Sequence, residues 1–161
     1  MQDLMAWLEA SRLGHAMRES GVWTYGVVNL FHILGISTLF GSILILDLRL
    51  LGAWQGVSLN AIAQPVIPIA AAGFIVAATT GVSMLATKAT EYVGNPFLYI
   101  KLPAILLGVI NVAILNSLSG WKMRKSSDLS PRQRRHLAIA GGVSLVCWLM
   151  AITAGRMIGY W

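Results

Sequence analysis

The chain has 161 residues, 57% of them hydrophobic and only 11% charged, with a formal net charge of +6 and a mean hydropathy of +0.70. Soluble domains carry roughly 25% charged residues, so this composition excludes an ordinary water-soluble domain and predicts a membrane protein. The one cysteine, Cys147, sits in the apolar run VSLVCWLMAI. It can form no internal disulfide and is expected as a small packed side chain.

Residues 1–20, MQDLMAWLEASRLGHAMRES, lack the basic start and immediate apolar core of a signal peptide. They predict a short amphipathic helix lying in the membrane interface. At about 100° per residue, Leu4, Trp7, Leu8, Ser11 and His15 share one side. This turns His15 toward lipid or the other helices, and Glu9 and Arg12 away.

Four apolar blocks follow, at about 22–46, 62–87, 97–119 and 134–159, each long enough to cross a hydrocarbon layer of about 30 Å as a helix. The expected fold is all-α, a single membrane domain over 1–161 built as a four-helix bundle. Asn95-Pro96 offers an N-cap with proline at the first helical position, and Ser130-Pro131-Arg132-Gln133 offers the same with a capping-box glutamine. Gly52 and Gly120 are expected helix stops. Pro65 and Pro68 should bend the second span near its start. Small residues stripe the first span (Gly35, Thr38, Ser42), the second (Ala70, Gly73, Ala77, Gly81) and the fourth (Gly141, Ser144, Gly155), where backbones can approach closely or leave room for a flat macrocycle.

Half of the twelve Lys and Arg residues lie in WKMRKSSDLSPRQRRH: Lys122, Arg124, Lys125, Arg132, Arg134 and Arg135. By the positive-inside rule the segment 120–136 is cytoplasmic, which leaves both termini outside. In a bacterial inner membrane that side is the periplasm. The basic charge is assigned to topology and anionic headgroups; a nucleic-acid partner is not expected.

Depth then sorts the polar residues. If Asp47 and Arg49 mark the inner interface, His32 lies about 22 Å away, in the outer leaflet. Tyr25, Asn29 and His32 share a face by their four- and three-residue spacing. His15 can reach the same level from the interfacial helix, and Lys101, Arg156, Met84 and Met157 share it. An ionisable group inside a membrane is a functional candidate because its burial must be offset by a partner. For His32 three roles stand open: a haem or metal ligand, with His15 as the second metal-binding candidate, an interhelical hydrogen bond, or a proton relay. Arg156 either holds a cofactor carboxylate or reaches to headgroups, Lys101 leans toward the latter, and Asn111 is expected to bind a neighbouring helix.

The runs HILGISTLFGSILILDLRLLG, TGVSMLAT, NPFLYIKLPAILLGVINVAIL and AGRMIGYW together resemble a family of small bacterial inner-membrane proteins of unknown function, over nearly the whole chain. The layout of an early histidine in one span and a lysine opening a later one is distantly similar to the CopD membrane family and to membrane b-type cytochrome domains.

The leading expectation is a haem-binding electron-transfer subunit, with haem b as cofactor and His32, His15, Arg156, Lys101, Asn29 and Tyr25 around it. A non-catalytic subunit that anchors a larger membrane complex or homo-oligomer is the alternative, and a small permease or proton relay the third. No set of nucleophile, base and oxyanion donors is visible, so the residues give no sign of an independent enzyme.

Overall fold

The computed structural model describes residues 1–125 and 129–161; residues 126–128, in the middle of the basic segment, lie outside the described part. The fold is all-α, 85% helical. Its elements are α1 (Gln2–Glu9), α2 (Arg12–Glu19), α3 (Gly21–Leu50), α4 (Leu59–Thr87), a 3₁₀ turn (Ala89–Tyr92), α5 (Pro96–Ser117), α6 (Ser119–Lys122), α7 (Pro131–Met157) and a final 3₁₀ turn (Ile158–Tyr160). Four of them, with α7 running on into that final turn, are long and apolar enough to cross a membrane.

Residues 1–20 form two short helices rather than one. Ala10 closes the first and Ser11 caps the second, its hydroxyl accepting the Gly14 N–H at 3.2 Å. The break resets the phase of the apolar stripe. Leu4 and Trp7 are 60% and 68% exposed and His15 is exposed, while Met5, Gly14 and Met17 are buried. Glu9, expected to point away, turns inward.

The chain divides into two compact units, Met1–Leu39 with Ala71–Pro96 and Phe40–Ala70 with Phe97–Trp161. In the first, α3 and α4 meet backbone to backbone. A Cβ on Gly35 would stand 2.7 Å from the Ala77 nitrogen, and one on Gly73 2.6 Å from the Leu39 nitrogen. The pairs 35 with 77 and 39 with 73 run in opposite directions, which is the register of an antiparallel crossing closed by small residues.

The second unit is held by side chains. Leu46, Leu50, Leu59, Ala63, Val66, Leu115, Trp121, Leu137 and Ala140 form its core. Asn111 donates from Nδ2 to the Ala140 carbonyl at 2.9 Å, as expected of an interhelical amide. Trp148 lies across Gly108, where a Cβ would come within 3.2 Å of the indole. Asp47 is buried beside Ser144 of α7. Arg49 donates to the Val57 carbonyl at 3.0 and 2.8 Å, closing the turn after α3 instead of reaching outward. That turn begins at Gly52, whose φ of +110° an L side chain rarely adopts. At α7 the capping box forms: the Ser130 hydroxyl accepts the Gln133 N–H and the Gln133 side chain accepts the Ser130 N–H. Gly120 does not end a helix; α5 stops at Ser117, and Gly120 lies buried within α6 against Gln133 and Leu137.

Candidate functional site

His32 is half-buried on α3 and points at α4. Its Nδ1 lies 2.9 Å from the Ala77 carbonyl oxygen and 3.0 Å from Thr80 Oγ1. A carbonyl can only accept, and the Thr80 hydroxyl already donates to the Val76 carbonyl at 2.5 Å, so Nδ1 carries the hydrogen and is shared between the two oxygens. In the neutral ring this places the hydrogen on Nδ1. The ring lies flat enough on α4 that a Cβ at Gly81 would stand 2.9 Å from Cε1. Gly81 is therefore the residue that admits the imidazole.

Farther toward the α2 end of the same unit a cavity of about 570 Å³ is lined by Met17, Arg18, Tyr25, Met84, Lys88 and Tyr92, among others. This is within the usual range of small-molecule sites, about 300–1,000 Å³. Met84 lies one turn of α4 beyond Thr80, about 6 Å along the axis. Tyr25 lies two turns of α3 from His32. Of the sequence candidates, Tyr25 lines the cavity and Asn29 is half-buried between Tyr25 and His32. His15 is exposed and is not in the lining. Met17, two residues on, takes that place, because positions two apart on a helix do not face the same way.

Charged and capping contacts tie together the segments around the cavity. The Glu9 carboxylate accepts the Thr90 N–H at 2.8 Å and the Thr90 hydroxyl at 2.7 Å, so it caps the 3₁₀ turn from a distance of 81 positions in sequence. These two bonds, the backbone one first, hold its carboxyl below the usual carboxylate range. Arg18 donates to the Thr87 carbonyl at 3.3 Å and the Glu9 carbonyl at 3.0 Å, tying α2 to the last turn of α4. Lys88 pairs with Glu91 at 3.2 Å. Burial, followed by the neighbouring Tyr25 and Glu91, pushes the Tyr92 hydroxyl above its ordinary value.

The other two candidates belong to the second unit. Lys101 is half-buried and lies across Gly155, where a Cβ would be 3.1 Å from Nζ. Arg156 is exposed, bonds the Tyr160 hydroxyl and stands 4.7 Å over its ring. Among the described residues no group of three or more His, Cys, Asp or Glu side chains is arranged to hold a metal ion. Residues that sequence reasoning passed over are Met17, Arg18 and Lys88. The signal that could have found them is Ser11, a helix cap whose presence splits the segment and turns Met17 inward.

Residues 4–161 match a family described as a family of unknown function, DUF6644. The chain belongs to that family. The match covers both units and the whole cavity lining of this DUF6644 chain. No curated protein and no solved structure matches it.

Proposed function

We propose that this DUF6644 chain is a haem-binding electron-transfer subunit of the bacterial inner membrane, in which His32 would hold the iron. The observation that carries the reading is the bond from Nδ1–H to the Ala77 carbonyl. A ligating histidine almost always donates its other ring nitrogen to a carboxylate, a carbonyl or water, which fixes the ring and raises its basicity. A bare metal ion needs three or four protein donors, whereas haem brings four nitrogens and asks the protein for one or two. The single anchored imidazole fits the second demand. His32 is not itself in the cavity lining; Met17 and Met84 there would offer thioethers to the iron, and Arg18 and Lys88 would offer positive charge to the propionates. Bound haem would supply one-electron exchange. The chain's own residues orient the ring through Ala77 and Thr80. The distant similarity to CopD-type and b-type cytochrome domains is part of this reading. So is the topology, with 120–136 cytoplasmic and both termini periplasmic.

Protein purified from cells supplied with haem should show a Soret band. His32→Gln should lose the band while the protein still inserts as four spans, since glutamine keeps a donor for the Ala77 carbonyl and cannot replace the imidazole as a ligand. No band and no bound iron in the wild-type protein would overturn the reading. A periplasmic reporter should be active after Trp161 and silent after Lys125.

A second reading has its own observation, the Gly81 cradle under the ring. There His32 pins α3 to α4 and the chain is a non-catalytic subunit of a larger membrane complex. It requires that His32→Ala lower the stability of haem-free protein, by about 0.6 and at most about 1.7 kcal/mol for one interhelical hydrogen bond.

A further inference from the structure

The first turns of α7 carry a second feature, independent of His32. Arg132, Arg135 and His136 line a groove with Pro131 and Ile139. Positions 132, 135, 136 and 139 share one helix face by their three- and four-residue spacing. Two neighbouring guanidiniums are committed elsewhere. Arg134 donates to the Leu129 carbonyl at 3.1 Å, and Arg124 lies 4.9 Å over the Trp121 ring while donating to the Trp121 carbonyl. Arg132, Arg135 and His136 are exposed, and their side chains make no hydrogen bond or ion pair among the described residues. The first-turn amide of Gln133 is already taken by Ser130, so the groove's charge is that of its side chains.

Directly along α7 the same face becomes an apolar stripe open to the surroundings. Ile139 is 54% exposed, Val143 43%, Val146 57% and Met150 47%. From Ile139 to Met150 the stripe runs about 16 Å, close to half of a hydrocarbon layer of about 30 Å. Cations at headgroup level and an apolar track one leaflet deep have the charge and the length of one lipid molecule.

We infer that this face of α7 is a seat for an anionic phospholipid, its phosphodiester held by Arg132, Arg135 and His136 and an acyl chain lying along Ile139, Val143, Val146 and Met150. Two guanidiniums recognise phosphate oxygens through paired N–H donors. Juxtamembrane cations near an anionic leaflet each strengthen such binding.

The test compares phosphatidylglycerol with phosphatidylcholine. Wild-type protein in detergent is titrated with each lipid, and bound lipid is counted by native mass spectrometry alongside the shift in Tm. Phosphatidylglycerol should bind more tightly and raise Tm more. Arg132→Gln with Arg135→Gln should weaken its binding on the order of tenfold and erase the preference. Arg132→Lys with Arg135→Lys should keep part of it, and Arg12→Gln, an exposed charge on α2, should keep all of it. Soluble glycerol phosphate should not displace the lipid. Equal binding of the two lipids to wild-type protein, or a preference that survives the double glutamine variant, would overturn the inference. Full displacement by glycerol phosphate would also overturn it, by showing a phosphate site that makes no use of the stripe.

Discussion

The two units draw on two means of helix packing in different proportions. In the first, backbones touch: Gly35 against Ala77, Gly73 against Leu39, Gly14 against the Ala86 carbonyl. In the second, side chains fill most of the space, with Leu46, Leu50, Leu115, Trp121 and Leu137 in the core, Trp148 over Gly108 and Asn111 on Ala140, while Gly141 makes a close backbone approach to the Asp47 carbonyl. Lipid tails are as apolar as leucine, so inside a bilayer burial of apolar surface drives little, and close contact and interhelical hydrogen bonds carry the association. Backbone contact leaves no atom that can turn aside. A side-chain contact can repack, and the two regions should therefore differ in what they tolerate.

The sharpest break of this contrast is a single methyl group. Gly73→Ala and Gly35→Ala place it 2.6 and 2.7 Å from backbone nitrogen, and should cost about 3 kcal/mol or more, the upper range of overpacking. Gly155→Ala meets only the flexible end of Lys101 and should stay within about 0.5 kcal/mol. Reversible unfolding in mixed detergent micelles measures both. Equal costs would show that the distinction between the units is not one of packing.

A smaller effect sharpens the other side. Asn111→Leu removes the bond to the Ala140 carbonyl and should cost about 0.6 kcal/mol, with about 1.7 as a ceiling. Stability unchanged within error would mean that the side-chain unit does not rely on its one buried interhelical amide.

The smallest expected effect lies at the edge of the first unit, where Glu9 holds Thr90. Because the folded carboxyl sits below its ordinary value of 4.5, its contribution is present above that pH and is lost as pH falls through the lower, folded value. Amide exchange in residues 1–20, corrected for intrinsic rates, should rise over that acid range. Glu9→Gln should remove the pH dependence and leave the four long helices unchanged.

Much of the all-α architecture was legible in the sequence, since four long apolar runs have few other ways to satisfy their backbones in lipid. The capping box at Ser130 and the stop at Gly52 could be read locally for the same reason that they form locally. The glycine stripes were readable as contact faces, and Gly35, Gly73, Gly81, Gly141 and Gly155 all serve as such. Their partners were not, because register between two helices is decided by how both surfaces mesh. The N-terminal segment shows the limit most clearly. A helical wheel drawn through Ser11 does not carry over from one helix to the next, since one hydroxyl capping Gly14 resets the phase. The Glu9–Thr90 contact, 81 positions apart, leaves no periodic trace at all. His32 was legible as an ionisable group needing a partner, while the identity of that partner, a carbonyl on α4, carries no side-chain signature.

The length of α3 bears on where such a protein can reside. Its 30 residues span about 45 Å, whereas the 22 residues of α5 span about 33 Å, close to the hydrocarbon thickness of about 30 Å. α3 must therefore lean or carry its end turns into the headgroup layer. The Leu50 end is fitted for either, since Asp47 is buried beside Ser144 and Arg49 is held by the Val57 carbonyl. A bilayer thicker than about 33 Å would outrun α5 before it outran α3, which has end turns in reserve.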